Sequence, residues 1–486
     1  MPEVRLAAAQ LPHRVLLIHR DMKNRILVGL GALALSWLIS ANHSVYAADY
    51  ERQVTFAVSP SPALMDDRVT IKVTGLPPSR PVMIRARSKD QRGRWWRSSA
   101  LFLARQDGSI DLAAQAPISG AYAGVDAMGL FWSMEPDPSE RPVPAFFPVV
   151  DWFQPIVTEM EAASSLRVLG TAQVVRQFAS AGVGAGPFRS NGVVGILYRP
   201  SDSYRPSDGR KHRGVILLGG SEGGFPTPEG AMLASRGFVT LALAYFGTNG
   251  LPSAMQRIPI EYFGQAIHAM RSLPGLEGAG ITIIGSSRGA EAALMVGSVY
   301  PEINAVVGVS SSHVRWEGAT ANALPGGPAW TYRDQVLPYV PFHIGAGFAA
   351  RYLWSRVFRG PLALNPMFTD SLSRVDIDEV EIAVERINGP VLLASGGDDR
   401  KWPSASMSTR AMDRLRRNHH PYPDEHVTYE GAGHWLPPAY LPTSGLRGRI
   451  AEEIGGTPEA TARVQSRLWP KMLQFLAAIP ARSVTR

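Results

Sequence analysis

The stretch that decides the fold is Ile281-Thr-Ile-Ile-Gly-Ser-Ser-Arg-Gly-Ala-Glu291. Its first four residues are a short apolar, mostly β-branched run, which is typical of a buried strand in a parallel sheet. The next five have the pattern G-x-S-x-G, and an Ala-rich, helix-compatible segment follows. This order predicts a sharp strand-to-helix turn that exposes Ser287. A serine between a strand and a helix can also be only an N-cap. Whether Ser287 is catalytic therefore depends on residues elsewhere in the chain.

On both sides of this turn, short apolar runs alternate with helix-compatible stretches. The runs that we interpret as strands are 215–218, 239–245, 281–284, 303–309 and 390–394. Strands that alternate with helices predict a doubly wound, mostly parallel sheet with helices on both faces, so the expected fold class is α/β. The alternation lapses at about 313–386, where aromatic residues are frequent. We expect an insertion there that caps the carboxyl edge of the sheet.

The segment from Val54 to about Glu135 has a different pattern, with short alternating runs separated by turns. It predicts an antiparallel β-sandwich of about seven strands. The proline-rich stretch 136–160 indicates an irregular connection. We therefore expect residues 48–185 to form a β-sandwich domain with its connection, and residues 186–486 to form the α/β domain.

The first 47 residues have the organisation of an export signal. A basic segment that starts at Met22, which is also a possible start of the protein, precedes an apolar run, Ile26–Ile39, and a small-residue cleavage site, Val45-Tyr46-Ala47. The run is short for a membrane span, although an uncleaved anchor is the competing interpretation. We expect a periplasmic or secreted protein without a membrane span after cleavage, or a cytoplasmic one if the segment is not functional.

The composition excludes several classes of site. The 486 residues include no cysteine, so disulfides, thiolate nucleophiles and cysteine metal sites are excluded. The formal net charge of +8 is dispersed, without the basic-aromatic stripe of a nucleic-acid-binding protein. The glycines of Gly219–Gly224 are not followed by the Lys-Ser/Thr of a phosphate-binding loop. We expect no cofactor, no metal and no nucleic-acid partner, and no pattern indicates an oligomeric state.

Three polar residues follow predicted strands in a chemically meaningful order. They are Ser287, Asp399 and His434. A serine hydroxyl becomes a nucleophile when a base takes its proton, and that base is held by an acid. Nucleophile, acid and base follow in this order in α/β-hydrolases, so the sequence predicts a catalytic triad. Asp398 remains an alternative acid, and the non-catalytic alternative is a surface histidine with turn-forming aspartates.

Acyl transfer through Ser287 would also need amide donors for an oxyanion. The amide of Arg288, directly after the serine, is one candidate. The loop Gly219–Gly224 has the flexible backbone for the second, and we predict the amide of Ser221.

Short motifs across the chain resemble those of one family. They are Gly214–Gly224, Leu241–Phe246, Leu251-Pro252, Glu261–Phe263, Gly285–Glu291, Glu385–Leu393, Asp398–Ser404 and Gly433-His434, together with Gly75–Pro78 and Gly124–Met134 in the N-terminal part. In these motifs the chain resembles the acyl-CoA thioesterase / bile acid-CoA:amino acid N-acyltransferase family over about residues 54–478.

The resemblance implies a serine-type thioesterase that cleaves acyl-CoA through an acyl-enzyme, with Ser287, Asp399 and His434 as the matching residues. The amino-acid-conjugating transferases of the family carry cysteine at the nucleophile position, so the serine here favours transfer to water. Ala290 stands where many members have glycine. An export signal is the larger departure, because acyl-CoA is cytoplasmic. The alternatives are a carboxylesterase or amidase acting on a periplasmic acyl substrate, an acyl-CoA:amino acid N-acyltransferase, and a non-catalytic binding protein.

Overall fold

The computed structural model describes residues 53–479, apart from 142, 145, 166, 202–211, 227, 277–279, 320–324 and 437–439. The predicted export signal lies outside the described residues. The described residues from Val54 onward form one compact unit. No helix in the described part of the chain is long and apolar enough to cross a membrane.

The N-terminal part is made of short and medium strands. In chain order they are β1 (Thr55–Ser59), β2 (Ala63–Leu64), β3 (Thr70–Thr74), β4 (Pro81–Lys89), β5 (Trp95–Leu103), β6 (Ile110–Asp111), β7 (Ser119–Gly120), helix α1 (Gly129–Trp132), β8 (Glu135–Pro136), β9 (Ile156–Ser164) and β10 (Arg167–Gln177). Among the described residues, one sheet has the order β1-β3-β6 and the other has the order β2-β10-β9-β4-β5-β7, with β8 paired to β5.

The larger of these sheets extends further along the chain than the proline pattern predicts. The predicted irregular connection ends at about residue 155, because β9 begins at Ile156 and pairs antiparallel with both β4 and β10. At its C-terminal end, β10 pairs in parallel with β2. Along β9 the buried Thr158 and Met160 alternate with more exposed positions, and the ion pair between Arg85 and Glu161 joins it to β4.

The second part of the chain carries the alternating pattern. In chain order its elements are β11 (Gly184–Ser190), β12 (Val193–Arg199), β13 (Arg213–Leu218), α2 (Pro228–Ser235), β14 (Phe238–Ala244), β15 (Ile258–Pro259), α3 (Ile260–Arg271), β16 (Ile281–Ser286), α4 (Arg288–Val299), β17 (Ile303–Val309), β18 (Glu317–Ala319), β19 (Pro325–Pro328), β20 (Trp330–Tyr332), β21 (Gln335–Val336), α5 (Ala346–Phe358), α6 (Asn365–Leu372), α7 (Ile377–Val380), a 3₁₀ turn (Val384–Arg386), β22 (Val391–Gly396), α8 (Ser404–Arg417), β23 (Glu425–Tyr429), α9 (Arg449–Ile454) and α10 (Pro458–Ala478).

The central sheet has the order β11-β12-β14-β13-β16-β17-β22-β23 among the described residues. Its first two pairings are antiparallel, and the pairings from β14 to β23 are parallel. Residues of α2 and α10 pack on one face of this sheet, and residues of α3, α4 and α8 pack on the other. The predicted α/β class is confirmed, and the order and direction of the strands are those of the α/β-hydrolase fold. In such a sheet, ligands bind beyond the carboxyl ends of the strands.

The sandwich and the central sheet share a continuous hydrophobic core. One buried cluster includes Phe131 of the sandwich, Leu217 of β13 and Trp469 of α10. Polar contacts connect the same parts, since Arg236 pairs with Asp66, whose carboxylate also accepts a hydrogen bond from Nε1 of Trp469.

Candidate active site

Ser287 occupies a strained position between β16 and α4. Its backbone angles are φ 54° and ψ −121°, a conformation that non-glycine residues rarely adopt. Steric contacts explain why the residues two positions before and after Ser287 are glycines. A Cβ atom on Gly285 would lie 2.0 Å from the oxygen of Gly289, and one on Gly289 would lie 2.3 Å from the oxygen of Gly219. Only glycine fits at these close approaches, so the G-x-S-x-G pattern forms the sharp turn that it predicts.

The side chains of Ser287, His434 and Asp399 form a chain of hydrogen bonds. Oγ of Ser287 lies 3.0 Å from Nε2 of His434, and Nδ1 of His434 lies 2.9 Å from Oδ2 of Asp399. The three residues come from the loops after β16, β23 and β22. Parallel strands end at the same edge of the sheet, so residues far apart in sequence meet there.

The carboxylate of Asp399 is nearly buried and fully engaged. Its Oδ1 accepts from the amides of Lys401 and Trp402, and its Oδ2 accepts from Oγ of Ser404 at 2.5 Å as well as contacting His434. These contacts fix the orientation of the carboxylate toward the imidazole. No sequence motif indicated the hydrogen bond from Ser404 to Asp399.

Asp398 has a different environment from that of its neighbour. Its side chain is 40% exposed, pairs with Arg400 at 3.1 Å and accepts from the amide of Gly456 at 3.0 Å. Asp398 therefore braces two loops and does not contact His434.

The loop that carries His434 is held on several sides. The amide of His434 donates to the oxygen of Ile454, and its own oxygen accepts from Oγ of Ser310. The indole of Trp402 packs edge-on against the imidazole with ring centroids 5.9 Å apart, and its Nε1 donates to the oxygen of Ser310. These contacts restrict the imidazole to the line between Ser287 and Asp399.

The predicted oxyanion donors lie in different surroundings. Arg288 is the first residue of α4, directly after Ser287. Ser221 is exposed, whereas a Cβ atom on Gly220 would lie 3.3 Å from Cβ of Ser287. The amide of Gly220 donates to Oε1 of Glu222 at 2.9 Å. The sequence singled out the loop but missed Gly220 and the carboxylate of Glu222 that binds it.

The side chain of Arg288 connects α4 to the insertion. It is buried, pairs with Glu291 at 2.8 Å and donates to the main-chain oxygens of Glu317 and Trp316. Glu291 accepts in turn from Nε1 of Trp330 at 2.6 Å. This network connects the start of α4 to the strands of the insertion.

A cavity of about 460 Å³ contains Ser287 and His434. Its other walls come from the sandwich connection, the loop after β13, α10 and the loop after His434, and they include Trp152, Gly219, Gly220, Glu222, Phe225, Glu229, Trp435, Leu468, Trp469 and Met472. A volume of this order suits a small organic ligand. None of the residues that line it belongs to the described part of the insertion 313–386. The insertion's aromatic residues, such as Trp316 and Phe368, pack in its own core instead.

Glu229 gives this cavity an unusual acidic group. It lies in the first turn of α2 and is partly buried. Burial raises the pKa of Glu229 to about 7, a smaller effect of backbone hydrogen bonding lowers it, and the nearby charge of Glu222 makes the smallest contribution, which raises it. Glu229 is therefore poised to change its charge near neutral pH.

A larger cavity, of about 1350 Å³, lies on the sandwich sheet. Arg85, Arg87, Arg97 and Arg447 line it, and each is paired with a carboxylate. Neither a histidine nor a cysteine lines it, so the smaller cavity is the better candidate despite its size. Among the described residues, no group of three or more histidine or acidic side chains is placed to hold a metal ion.

Comparison with known proteins identifies the family. Residues 66–189 match the profile described as acyl-CoA thioester hydrolase/BAAT N-terminal region, and residues 258–479 match that described as BAAT/acyl-CoA thioester hydrolase C terminal. Acyl-coenzyme A thioesterase 1 of Rattus norvegicus is 31% identical over 422 residues, which cover 84% of this chain and 93% of the relative. The chain belongs to the acyl-CoA thioester hydrolase/BAAT family. The resemblance that the sequence motifs indicated is confirmed.

Other relatives include both a thioesterase and an N-acyltransferase. Peroxisomal succinyl-coenzyme A thioesterase of Mus musculus is 28% identical and covers 87% of this chain and 96% of the relative. Acyl-coenzyme A amino acid N-acyltransferase 1 of Mus musculus is 29% identical, with 87% and 97% covered. This chain is an enzyme of the thioester-hydrolase type.

Solved structures match at lower similarity. A dienelactone hydrolase-like promiscuous phosphotriesterase from metagenomic libraries is 14% identical, with a TM-score of 0.37 and coverage of 62% of this chain and 99% of that one. Pyrococcus horikoshii acylaminoacyl peptidase is 11% identical, with a TM-score of 0.38 and coverage of 89% and 62%. The fold follows from the strand order of the central sheet and not from these similarities.

Proposed function

We propose that the protein hydrolyses acyl thioesters through an acyl-enzyme on Ser287, with His434 as general base and Asp399 as the acid that holds it. The observation that carries the proposal is the chain of hydrogen bonds from Ser287 to His434 to Asp399 at the wall of a cavity. Family membership supports a thioester as the substrate class.

In the proposed reaction, Nε2 of His434 accepts the proton of Ser287 Oγ as that oxygen attacks the thioester carbonyl carbon. The resulting oxyanion is held by the amides of Arg288 and Ser221. Collapse breaks the carbon–sulfur bond, and the imidazolium returns its proton to the leaving thiolate. Water then attacks the acyl-enzyme with His434 again as base, and the free acid leaves.

The charge of the cavity favours a neutral acyl chain over one that ends in a carboxylate. A Cβ atom built on Gly220 would lie 2.8 Å from Oε2 of Glu222 and 3.3 Å from Cβ of Ser287. The Glu222 carboxylate is therefore at most about 6 Å from Cβ of Ser287, where its charge can act on a bound acyl group. A second carboxylate on the acyl group would meet the like charge of Glu222, which lines the same cavity. We expect butanoyl-CoA to be cleaved at least 10-fold faster than succinyl-CoA at equal concentration, and Glu222→Gln to narrow the ratio.

A direct test uses acyl-CoAs and p-nitrophenyl esters of graded length. Because the chain has no cysteine, thiol release can be followed with a thiol-reactive dye without background from the protein. Parallel reactions with an amino acid as acceptor test transfer, which the name of the mouse N-acyltransferase makes the second candidate. Absence of thiol release from every acyl-CoA would refute the thioesterase proposal, and formation of an acyl-amino acid would favour transfer.

The location of the enzyme needs its own test, because the predicted signal lies outside the described residues. We propose cleavage after Ala47 and a periplasmic or secreted protein. N-terminal sequencing of protein from the periplasmic fraction should begin at Ala48. An intact N-terminus on cytoplasmic protein would refute the export proposal and leave acyl-CoA directly accessible as substrate.

A further inference from the structure

Helix α5, in the insertion, exposes a cluster of large apolar side chains. The exposed fractions are 62% for Leu353, 53% for Trp354, 71% for Val357 and 67% for Phe358. Single exposed apolar residues are common on soluble proteins, but a contiguous cluster marks an interaction surface. We call these four residues the α5 apolar face.

The α5 apolar face is not the side on which the helix packs. Successive residues of a helix rotate by about 100°, so these four residues fall within an arc of about 140°. Phe348 and Ser355 lie on the opposite side and are 9% and 7% exposed. Phe348 belongs to the hydrophobic core of the insertion. The helix is thus anchored on one side and presents a second apolar side to solvent.

The charged side chains of α5 and of the segment around it in the sequence have one sign. On the helical wheel, Arg351 falls about 20° from Phe358 at one edge of the face, and Arg356 falls about 60° from Leu353 beyond the other edge. Arg359 follows at the C-terminal end of the helix. No aspartate or glutamate occurs from residue 335 to residue 369. An apolar stripe flanked by arginines is typical of a helix that lies in the surface of a membrane.

We propose that the α5 apolar face binds the surface of a phospholipid bilayer that contains anionic headgroups. The apolar side chains enter the headgroup layer, while Arg351, Arg356 and Arg359 meet the lipid phosphates. Anionic lipids attract arginines close to the surface. A second copy of this chain is a less favourable partner for the α5 apolar face. A twofold contact would bring the arginines of the two copies together, and residues 335–369 contain no carboxylate to pair with them.

The position of α5 couples this surface to the candidate active site. At the start of α6, the next helix along the chain, the amides of Leu364 and Asn365 donate to the oxygen of Arg400, and Nδ2 of Asn365 donates to the oxygen of Asp399 at 2.6 Å. Binding through α5 would hold the loop of Asp399 near the lipid surface, where acyl compounds that partition into membranes are concentrated. Lipid binding itself is measured without turnover, so the proposal stands apart from the proposed function.

The absence of cysteine allows a local probe. Val357→Cys, labelled with an environment-sensitive fluorophore, reports on α5 alone, whatever the N-terminal segment does. The label should brighten and shift to the blue with vesicles of equal parts phosphatidylcholine and phosphatidylglycerol, and less with phosphatidylcholine alone. The matched control is Ile118→Cys on the sandwich, where Ile118 is 59% exposed, and its label should not respond. A label at position 357 that ignores anionic vesicles would overturn the proposal.

Charge reversal gives a second, independent readout. The double variant Arg351→Glu/Arg356→Glu should bind anionic vesicles at least 10-fold more weakly in a sedimentation assay. Arg92→Glu/Arg141→Glu changes the net charge equally at two exposed positions, one in the sandwich and one in its connection, and should bind as the unmodified chain does. Near-UV circular dichroism checks that each variant is folded. Equal binding by the two double variants would contradict the proposal. A second result would also contradict it: the unmodified chain does not bind lipid but forms a dimer, and Val357→Glu converts that dimer to a monomer. A second copy of the chain would then cover the α5 apolar face.

Discussion

Oδ2 of Asp399 lies 2.9 Å from Nδ1 of His434, while the adjacent Asp398 carboxylate binds Arg400 and the amide of Gly456. Two consecutive acidic residues thus have separate surroundings. One is nearly buried beside the imidazole, and the other is partly exposed and connects two loops. Their roles can therefore be separated by the same small substitution at each position.

The first prediction concerns this pair. Asp399→Asn should lower kcat by about 10⁴, because the amide would favour the wrong tautomer of His434 and could not stabilise the imidazolium. Asp398→Asn should cost less than about 10-fold, since it changes only the contacts between loops. Both variants are measured on one substrate with their unfolding temperatures. A large loss at Asp398 with little at Asp399 would reverse the assignment, and small losses at both would remove the acid from the mechanism.

The second prediction concerns the nucleophile. Ser287→Ala removes only Oγ and keeps Cβ, so it leaves the steric situation at φ 54° unchanged. We expect turnover to fall by about 10⁶ while the thermal unfolding midpoint stays close to that of the unmodified chain. Mass spectrometry after rapid quenching should find an acyl group on the Ser287 peptide of the unmodified chain and none in the variant. Retention of a few per cent of the rate would show that another group is the nucleophile.

The third prediction tests the oxyanion donor in the loop after β13. Ser221→Pro removes the amide hydrogen and should lower kcat by 10²–10³, the usual cost of one such donor. Ser221→Ala keeps the amide and is the matched control, for which we expect nearly unchanged kcat. The unfolding temperatures of both variants are measured as well, because proline at position 221 also restricts the backbone of Gly220 and could lower stability. If the proline variant keeps its activity, the amide of Gly220, released from Glu222, becomes the better candidate.

The parts of the fold with a strong periodic signal could be predicted from the sequence. The strand before Ser287 is mostly apolar because it is buried on both faces of a parallel sheet, and Gly285 and Gly289, on the two sides of the serine, are required by close backbone contacts. The order Ser287, Asp399, His434 could be predicted because each follows a strand that ends at the same edge. The continuation of the sandwich sheet into β9 was missed, since the preceding prolines conceal its alternation.

The walls of the cavity could not be predicted for a different reason. Trp152, Glu229 and Trp469 lie far apart in sequence and meet only through tertiary packing. Aromatic residues are frequent in the insertion, but Trp316 and Phe368 pack in its own core, and none of its described residues lines the cavity. Glu229 gave no signal in the sequence either, because a glutamate in the first turn of a helix is common and interacts favourably with the helix dipole. Its burial beside Glu222 is visible only in three dimensions.

The fourth prediction follows from the pKa of Glu229, which burial raises from 4.5 to about 7. Below pH 4.5 the residue is neutral in both the folded and the unfolded chain, so it has no effect on stability. Between pH 4.5 and about 7 the unfolded chain is ionised while the folded chain holds the proton. The free energy of unfolding therefore falls as the pH rises, and above about 7 the penalty is constant.

Glu229→Gln removes this titration and keeps the shape of the side chain. Its stability relative to the unmodified chain should increase from pH 4.5 to 7 and then level off, with a gain of at most ~3 kcal/mol, because water in the cavity screens part of the effect. Urea unfolding across this pH range measures the difference, and Glu261→Gln, at another helix start, is the control. A difference that shrinks as the pH rises would mean that Glu229 is ionised and stabilising in the folded chain, and a constant difference would mean that its pKa does not change on folding.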